Sequence, residues 1–233
     1  MTEIDKTAVR NAATVIVLRD RETNPAILMG QRGAKAAFMP NKFVFPGGAV
    51  DKADFDIPLA CGLVEPCFSR IDLDSETGLQ NALAAAAVRE LWEETGLILG
   101  EEGAWAGDIH EDWRDFAGMG YLPSGMGLQY FFRAITPKGR PRRFDARFFL
   151  VDAAHVKGPL DDFSRASDEL SHLQWIPLED ARNFDLPFIT EVVLAEVGAR
   201  LHTTEPPDSV PFFRNRDEES LFLRLRGHPM PGD

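Results

Sequence analysis

A helical segment that carries three glutamates is the strongest constraint on what this chain can fold into. Residues 81–97 have the sequence NALAAAAVRELWEETGL, which is rich in strong helix formers and contains Gly96, a residue type common at helix ends. Each residue advances about 100° around a helix, so Glu90, Glu93 and Glu94 share one face beside a mainly apolar side. The pattern predicts a helix over 81–97 that buries its apolar side.

The three glutamates are unfavourable for helix stability by themselves. Like charges three or four positions apart repel each other, and the last turns of a helix favour Lys or Arg because the helix dipole is negative there. A bound divalent cation would remove this conflict, because carboxylate oxygens are ligands that Mg²⁺ and Mn²⁺ prefer. A solvated charged face, in which Arg89 pairs with Glu93, is the alternative interpretation.

Short apolar runs alternate with helical segments along the rest of the chain. No linker rich in Pro or Ser divides them, which favours one α/β domain. The strand at 43–45 should end at Pro46-Gly47-Gly48, because proline cannot donate a ladder hydrogen bond, and residues 49–80 have no sustained period. We expect strands at 13–18, 26–29, 43–45, 128–135, 147–151 and 172–176, and helices at 108–119, 178–183 and 188–201.

The glutamate segment resembles a known family motif. Residues 89–97, RELWEETGL, match the second half of the Nudix box, R-E-U-x-E-E-x-G-U with U aliphatic, and Phe45-Pro46-Gly47-Gly48 precedes it. The resemblance covers residues 12–200. It implies an α/β fold, the Nudix-type α/β/α sandwich with a mixed β-sheet. We expect a single Nudix hydrolase domain over 1–233, with an insertion at about 50–79 and an extended C-terminal tail at 203–233.

An insertion interrupts this box. Gly48 and Arg89 are 41 positions apart, whereas the family has 14, which leaves 27 additional residues. Counted back from Arg89, Asn81 occupies the place of the first glutamate of the box. A split box resembles the branch of the family related to the peroxisomal coenzyme A diphosphatase. The segment from Arg32 to Gly48 also partly matches a second motif of coenzyme A pyrophosphatases.

The resemblance implies hydrolysis of a nucleoside diphosphate linked to another group, with Mg²⁺ or Mn²⁺ bound by Glu90, Glu93 and Glu94. Glu93, Glu94 and Arg89 form the expected catalytic set, in which Arg89 orients a glutamate. Glu93 is the first candidate for the base that takes a proton from water, and Glu169 is the second. Coenzyme A or acyl-coenzyme A is the expected substrate. The alternatives are ADP-ribose, NADH or a nucleotide sugar, or a nucleotide sensor that does not catalyse hydrolysis.

Several other residues are candidates for contact with the substrate. Gly47 and Gly48 would let backbone amides approach a phosphate, or would only form a tight turn. Arg32 would bind a phosphate or cap a strand edge. Arg142 and Arg143 belong to a basic stretch whose guanidinium groups suit the additional ribose phosphate of coenzyme A, although a solvated loop explains them as well.

The composition of the chain limits the classes of partner that we expect it to bind. The chain has 25 basic and 37 acidic residues and a formal charge of −12, which argues against a nucleic-acid binder that neutralises phosphates with Lys and Arg. No apolar run approaches the roughly 20 residues of a membrane span, the first residues lack a secretory signal, and two cysteines suit a reducing compartment. We expect a cytoplasmic protein that binds a small nucleotide and neither nucleic acid nor membrane; the resemblance allows a homodimer.

Overall fold

A mixed nine-stranded sheet organises the described chain, which in this computed structural model comprises residues 8–36, 38–72, 75–216 and 219–225. The strands in chain order are β1 (Val9–Arg19), β2 (Ala26–Arg32), β3 (Phe43–Val44), β4 (Gly47–Ala49), β5 (Gly100–Glu102), β6 (Tyr121–Pro123), β7 (Gln129–Ile135), β8 (Arg143–Asp152), β9 (Leu170–Pro177), β10 (Val210–Arg216) and β11 (Glu219–Leu225). The order in the sheet is β11-β10-β7-β8-β1-β2-β3, with β4 paired to β1 and β9 paired to β2, while β5 and β6 pair separately. Strand β8 is parallel to β1 and antiparallel to β7, so the sheet is mixed, as predicted.

Helices pack on both faces of the sheet. Alternate residues of β1 point to opposite sides: Val15 and Val17 belong to a core cluster shared with α2, whereas Ile16 and Leu18 belong to a cluster shared with α4. The predicted α/β/α sandwich is therefore confirmed. The helices are α1 (Cys67–Asp72), α2 (Leu79–Thr95), α3 (Arg114–Gly118) and α4 (Phe188–Ala199).

Helix α2 corresponds to the predicted helix, begins and ends two residues earlier, and is followed by Gly96 with φ 75°. All its residues except Asn81 and Glu93 are buried. The sheet packs on one side of α2, while the 3-10 turn Lys52–Asp56, α1 and β4 contact it as well. Glu90 and Glu94 are therefore enclosed by protein, which excludes the solvated-face interpretation for these two residues.

The predicted end of a strand at Pro46-Gly47-Gly48 is only half right. Strand β3 ends at Val44, but the chain resumes at once as β4 and pairs with β1. This is possible because Pro46, which cannot donate, accepts a hydrogen bond from the N–H of Val15 at 2.8 Å through its carbonyl. Gly47 approaches β1 so closely that an added Cβ would lie 2.5 Å from the carbonyl oxygen of Ala13.

Other elements differ from prediction in bounds or type. Segment 108–119 forms a 3-10 turn, Glu111–Trp113, followed by α3, and the helix predicted at 178–183 is wrong, because only the 3-10 turn Ala181–Asn183 forms there. Strands β5, β6, β10 and β11 were not predicted, and β10 extends the sheet by pairing in parallel with β7. Residues 226–233 of the expected tail lie outside the described residues. Within the described ranges, no helix combines the length and the apolar character needed to cross a bilayer.

Candidate active site

The Arg89 side chain is the centre of a buried network of carboxylates. It is 5% exposed on α2, and its Nε and Nη2 atoms donate to the two carboxylate oxygens of Asp54 at 3.1 and 3.0 Å. Its Nη1 atom donates to Glu90 Oε1 at 2.8 Å and to Glu93 Oε2 at 3.2 Å. Burial alone would lower the pKa of Arg89, but the bonds to Asp54 and the neighbouring carboxylates outweigh burial and raise it. Arg89 is therefore placed to orient two of the three glutamates.

Asp54 is the functional residue that the sequence analysis missed. It is 1% exposed, and its Oδ2 atom accepts a hydrogen bond from the backbone N–H of Asp51 at 2.8 Å. Asp54 stands six positions after Gly48, which is the separation of the glycine and the first acidic residue in an uninterrupted box. Counting forward from Gly48, rather than back from Arg89, would have found it.

The assignment of that place in the box to Asn81 is therefore wrong. Asn81 is one of the two residues of α2 that are not buried, and it lies over the insertion, where an added Cβ on Gly62 would be 3.2 Å from its Oδ1 atom. The carboxylate bonded to Arg89 comes from Asp54 instead. The additional residues thus follow the acidic position of the box rather than precede it.

Glu94 is held against β4. It is 1% exposed, and its Oε2 atom accepts a hydrogen bond from the backbone N–H of Gly47 at 2.7 Å. Burial raises the pKa of Glu94 well above its usual value, the charge of Glu90 raises it further, and the Gly47 bond opposes both. Its Oε1 atom is buried without a hydrogen-bond partner among the described residues. A buried acceptor in this state is unfavourable unless a cation or another donor satisfies it.

The carboxylate of Glu90 lies directly against Gly48. A Cβ added to Gly48 would be 2.4 Å from Glu90 Oε1, so no larger residue fits there without displacing this carboxylate. Burial raises the pKa of Glu90 to about 7, although Arg89 opposes this effect. The two glycines therefore seat two carboxylates. The amide of Gly47 is bonded to Glu94, and contact of Gly47 and Gly48 with a phosphate stays a prediction.

The chemistry of this pair fits a divalent cation. Glu90 and Glu94 both face β4, and Glu94 has a buried oxygen without a hydrogen-bond partner among the described residues. No group of three His, Cys, Asp or Glu side chains in the described ranges converges on a common metal position. Mg²⁺, however, is usually bound by one or two carboxylates, with water and substrate phosphates completing its coordination. Glu93 differs from these two buried glutamates, because 35% of its side chain is exposed and Arg89 donates a hydrogen bond to one of its oxygens.

Arg32 and Glu169 lie at the margin of the same site. Arg32 Nη2 and Glu169 Oε1 form an ion pair at 2.9 Å. Besides burial, the charge of Glu169 raises the pKa of Glu90 and Glu94, and the charge of Arg32 lowers that of Glu94. These interactions place both predicted residues within electrostatic range of the buried glutamates.

Arg142 and Arg143 lie farther along the sheet. Arg143 pairs with Val9 of β1, whereas Gly48 pairs with Ala13, a separation of four residues or roughly 13 Å along the strand. Arg142 is exposed in the loop before β8. The structure does not bring these arginines to the glutamates, and their role in substrate binding stays a prediction that concerns a part of the substrate remote from the diphosphate.

Comparison with known proteins gives consistent matches. The sequence pattern of the NUDIX domain matches residues 9–197. A Caenorhabditis elegans protein named as a nudix hydrolase is 30% identical over 182 residues, which are 72% of this chain and 51% of that protein. An acyl-coenzyme A diphosphatase of Gallus gallus is 29% identical over 178 residues, with 53% of this chain and 47% of that protein covered. The chain thus spans about half the length of these curated relatives.

A solved structure agrees with the sheet and helix arrangement. The crystal structure of a NUDIX hydrolase from Alicyclobacillus acidocaldarius superimposes with a TM-score of 0.60 at 25% sequence identity. The match covers 84% of this chain and 97% of that one. Nearly the whole of that domain is therefore matched by this chain.

Proposed function

The chain belongs to the Nudix family, and from this premise we propose that it hydrolyses the diphosphate bond of coenzyme A or an acyl-coenzyme A with Mg²⁺ or Mn²⁺. The observation that carries the proposal is the pair of buried carboxylates on α2, Glu90 and Glu94, one of which has an oxygen without a partner in the described part of the chain. Burial raises the pKa values of both carboxylates, and a bound cation would offset the cost of burying their charges. The cation would in turn attract a diphosphate.

The residues of the site have different roles in the proposed reaction. When bound, the cation supplies charge neutralisation of the diphosphate and lowers the pKa of the attacking water. Glu90 and Glu94 would hold the ion. Arg89 is a positioning residue, since it fixes the carboxylates of Glu90 and Glu93, and Asp54 holds its guanidinium group in turn.

The base that accepts the proton from water is proposed to be Glu93. It is the most exposed of the three glutamates, so water reaches it, and Arg89 fixes its orientation. Glu169 is the second candidate, because it is exposed at the margin of the site, but Arg32 holds one of its oxygens. We expect Glu93→Gln to lower kcat about a hundredfold and Glu169→Gln to lower it much less. The reverse order would assign the base to Glu169.

The choice of coenzyme A rests on two features. The insertion inside the box resembles that of the coenzyme A diphosphatase branch, and one relative, from Gallus gallus, is an acyl-coenzyme A diphosphatase. Cleavage of this substrate between its two phosphorus atoms would give an adenosine bisphosphate and a phosphopantetheine or acyl-phosphopantetheine.

A substrate panel tests the proposal. The protein is incubated with Mg²⁺ and coenzyme A, octanoyl-coenzyme A, ADP-ribose or NADH. The products are separated and identified by mass spectrometry. We expect the highest kcat/KM on a coenzyme A compound. A higher value on ADP-ribose or NADH than on every coenzyme A ester would reject this substrate and retain the reaction. Nucleotide binding without hydrolysis of any compound would favour the non-catalytic sensor.

A further inference from the structure

A cleft of about 550 Å³ lies between two segments of the chain, and the proposed mechanism uses none of the described residues that line it. One wall is formed by residues 53–58, around the start of the insertion, and the other by residues 105–110, between β5 and the Glu111–Trp113 turn. Pockets that bind small ligands have typical volumes of about 300–1,000 Å³. The cleft is therefore large enough to receive part of a substrate.

The cleft adjoins the glutamate-bearing end of α2. Its first wall includes the segment that carries Asp54, the residue bonded to Arg89. In its second wall, His110 Nδ1 lies 3.3 Å from Asp112 Oδ2, and the negative charge of Asp112 acts on Glu93. Both walls are thus connected to the site through charged neighbours.

A series of aromatic rings links the second wall to α2. The Trp105 ring, which lines the cleft, lies 5.7 Å from Trp113, Trp113 lies 5.3 Å from Phe116, and Phe116 lies 5.7 Å from Trp92. Trp92 directly precedes Glu93. Rings packed at these distances stabilise each other, so Trp105 is connected by ring contacts to the helix that carries the proposed catalytic base.

The lining of the cleft selects against anionic groups. Its polar members include the exposed carboxylates of Asp56 and Asp108, and no lysine or arginine occurs among the described lining residues. A phosphate or carboxylate would therefore meet charges of its own sign. The apolar side chains on the two walls include Ile57, Pro58, Trp105 and Ile109.

We propose that this cleft binds the uncharged arm of the substrate beyond the diphosphate, an amide-and-alkyl chain of the acyl-pantetheine kind. The inference rests on the proposed function for the position of the diphosphate, and it adds which arm of the substrate the cleft binds. Coenzyme A has one arm with an additional phosphate and one without ionic groups, and only the second suits an apolar cleft with an acidic rim. The insertion thereby acts as a specificity element.

Paired variants test the assignment. Ile57→Asp and Ile109→Asp place a charge on either wall, and Val64→Asp is the matched control, because Val64 is an exposed aliphatic residue of the insertion that does not line the cleft. With octanoyl-coenzyme A, we expect the two cleft variants to lose about tenfold in kcat/KM through a higher KM, while ADP-ribose hydrolysis changes less than about twofold. Val64→Asp should alter neither.

A binding experiment separates this inference from the proposed function. Octanoyl-pantetheine, which has no diphosphate, is titrated into the wild-type protein and the three variants, with saturation-transfer NMR as the readout. Binding to the wild type and to Val64→Asp, and its loss in both cleft variants, would support the cleft even if the wild type hydrolysed no coenzyme A compound. Equal binding by all four proteins, or equal losses on octanoyl-coenzyme A and ADP-ribose, would overturn the proposal.

Discussion

Two buried clusters of arginine and carboxylate side chains differ in how their charges are balanced. In the cluster between β7 and β8, Arg133 donates to both oxygens of Asp145 at 2.8 and 2.7 Å. Arg147 pairs with the same carboxylate at 3.1 Å and donates to Asn11 Oδ1 at 2.7 Å. Arg133 also lies 4.6 Å from the centre of the Phe212 ring. This cluster binds its charged groups to one another.

The cluster on α2 has the opposite balance. One arginine, Arg89, contacts the carboxylates of Asp54, Glu90 and Glu93. Glu94 lies beside them, and one of its oxygens has no partner among the residues that the structure describes. A buried charge without a full set of partners is costly to stability. The comparison teaches that burial of ionic groups does not by itself indicate function, whereas an excess of buried carboxylates that leaves one oxygen without a partner among the described residues favours a bound cation.

The substitution with the largest expected effect disrupts the proposed metal site and leaves the fold intact. Glu94→Gln removes a cation ligand, and we expect kcat to fall about a thousandfold or more. Because the substitution also removes a buried carboxylate with an unsatisfied oxygen, the Tm in EDTA should stay equal or rise. Turnover at saturating Mg²⁺ and thermal unfolding in EDTA measure the two effects. A fall in Tm together with normal turnover would assign Glu94 a structural role only.

The second prediction concerns the cluster between β7 and β8. Asp145→Asn withdraws the carboxylate shared by two buried arginines, so the free energy of unfolding should fall by about 3 kcal/mol. Urea denaturation measures this loss. The folded fraction should retain its kcat, because Asp145 contacts none of the α2 glutamates. A large loss of kcat without loss of stability would contradict the division between the two clusters.

The third prediction concerns the support of the α2 cluster. Asp54→Asn weakens the hold on Arg89, and we expect kcat to fall roughly ten- to hundredfold, as for other groups that orient metal ligands. Asp54→Glu should restore much of the activity, since it keeps the carboxylate. The Mg²⁺ concentration for half-maximal activity should rise in Asp54→Asn, which a purely structural role would not require.

The smallest expected effect is a pH dependence of the metal-free protein. The pKa of Glu90 is raised to about 7 by burial, from about 4.3 in an unfolded chain. The folded state therefore holds this proton more tightly, so stability is greatest below the unfolded value and declines as pH rises through 7. We expect a loss of about 1–2 kcal/mol between pH 5 and 8 in EDTA. Glu90→Gln should reduce the decline of the free energy of unfolding with pH. An unchanged decline in this variant would show that other groups cause it.

Local sequence signals were sufficient for the helix and its acidic residues, but not for their partners. Gly96 and the run of helix formers predicted α2 to within two residues at each end. Asp54 was missed because its carboxylate contacts a side chain 35 positions away, and the insertion hid the regular spacing. Strands β10 and β11 were missed as well, because β10 depends on pairing with β7, far away in the sequence.

The sequence by itself determined the α/β class, the family motif and the concentration of negative charge on one helix, because these depend on residue type and short-range spacing. Only the tertiary structure decided which carboxylates are buried, that Gly47 and Gly48 seat two of them, and that Arg142 and Arg143 lie away from the glutamates. These features depend on contacts between distant segments. Such contacts are set by the packing of the sheet, α2 and the insertion rather than by local periodicity.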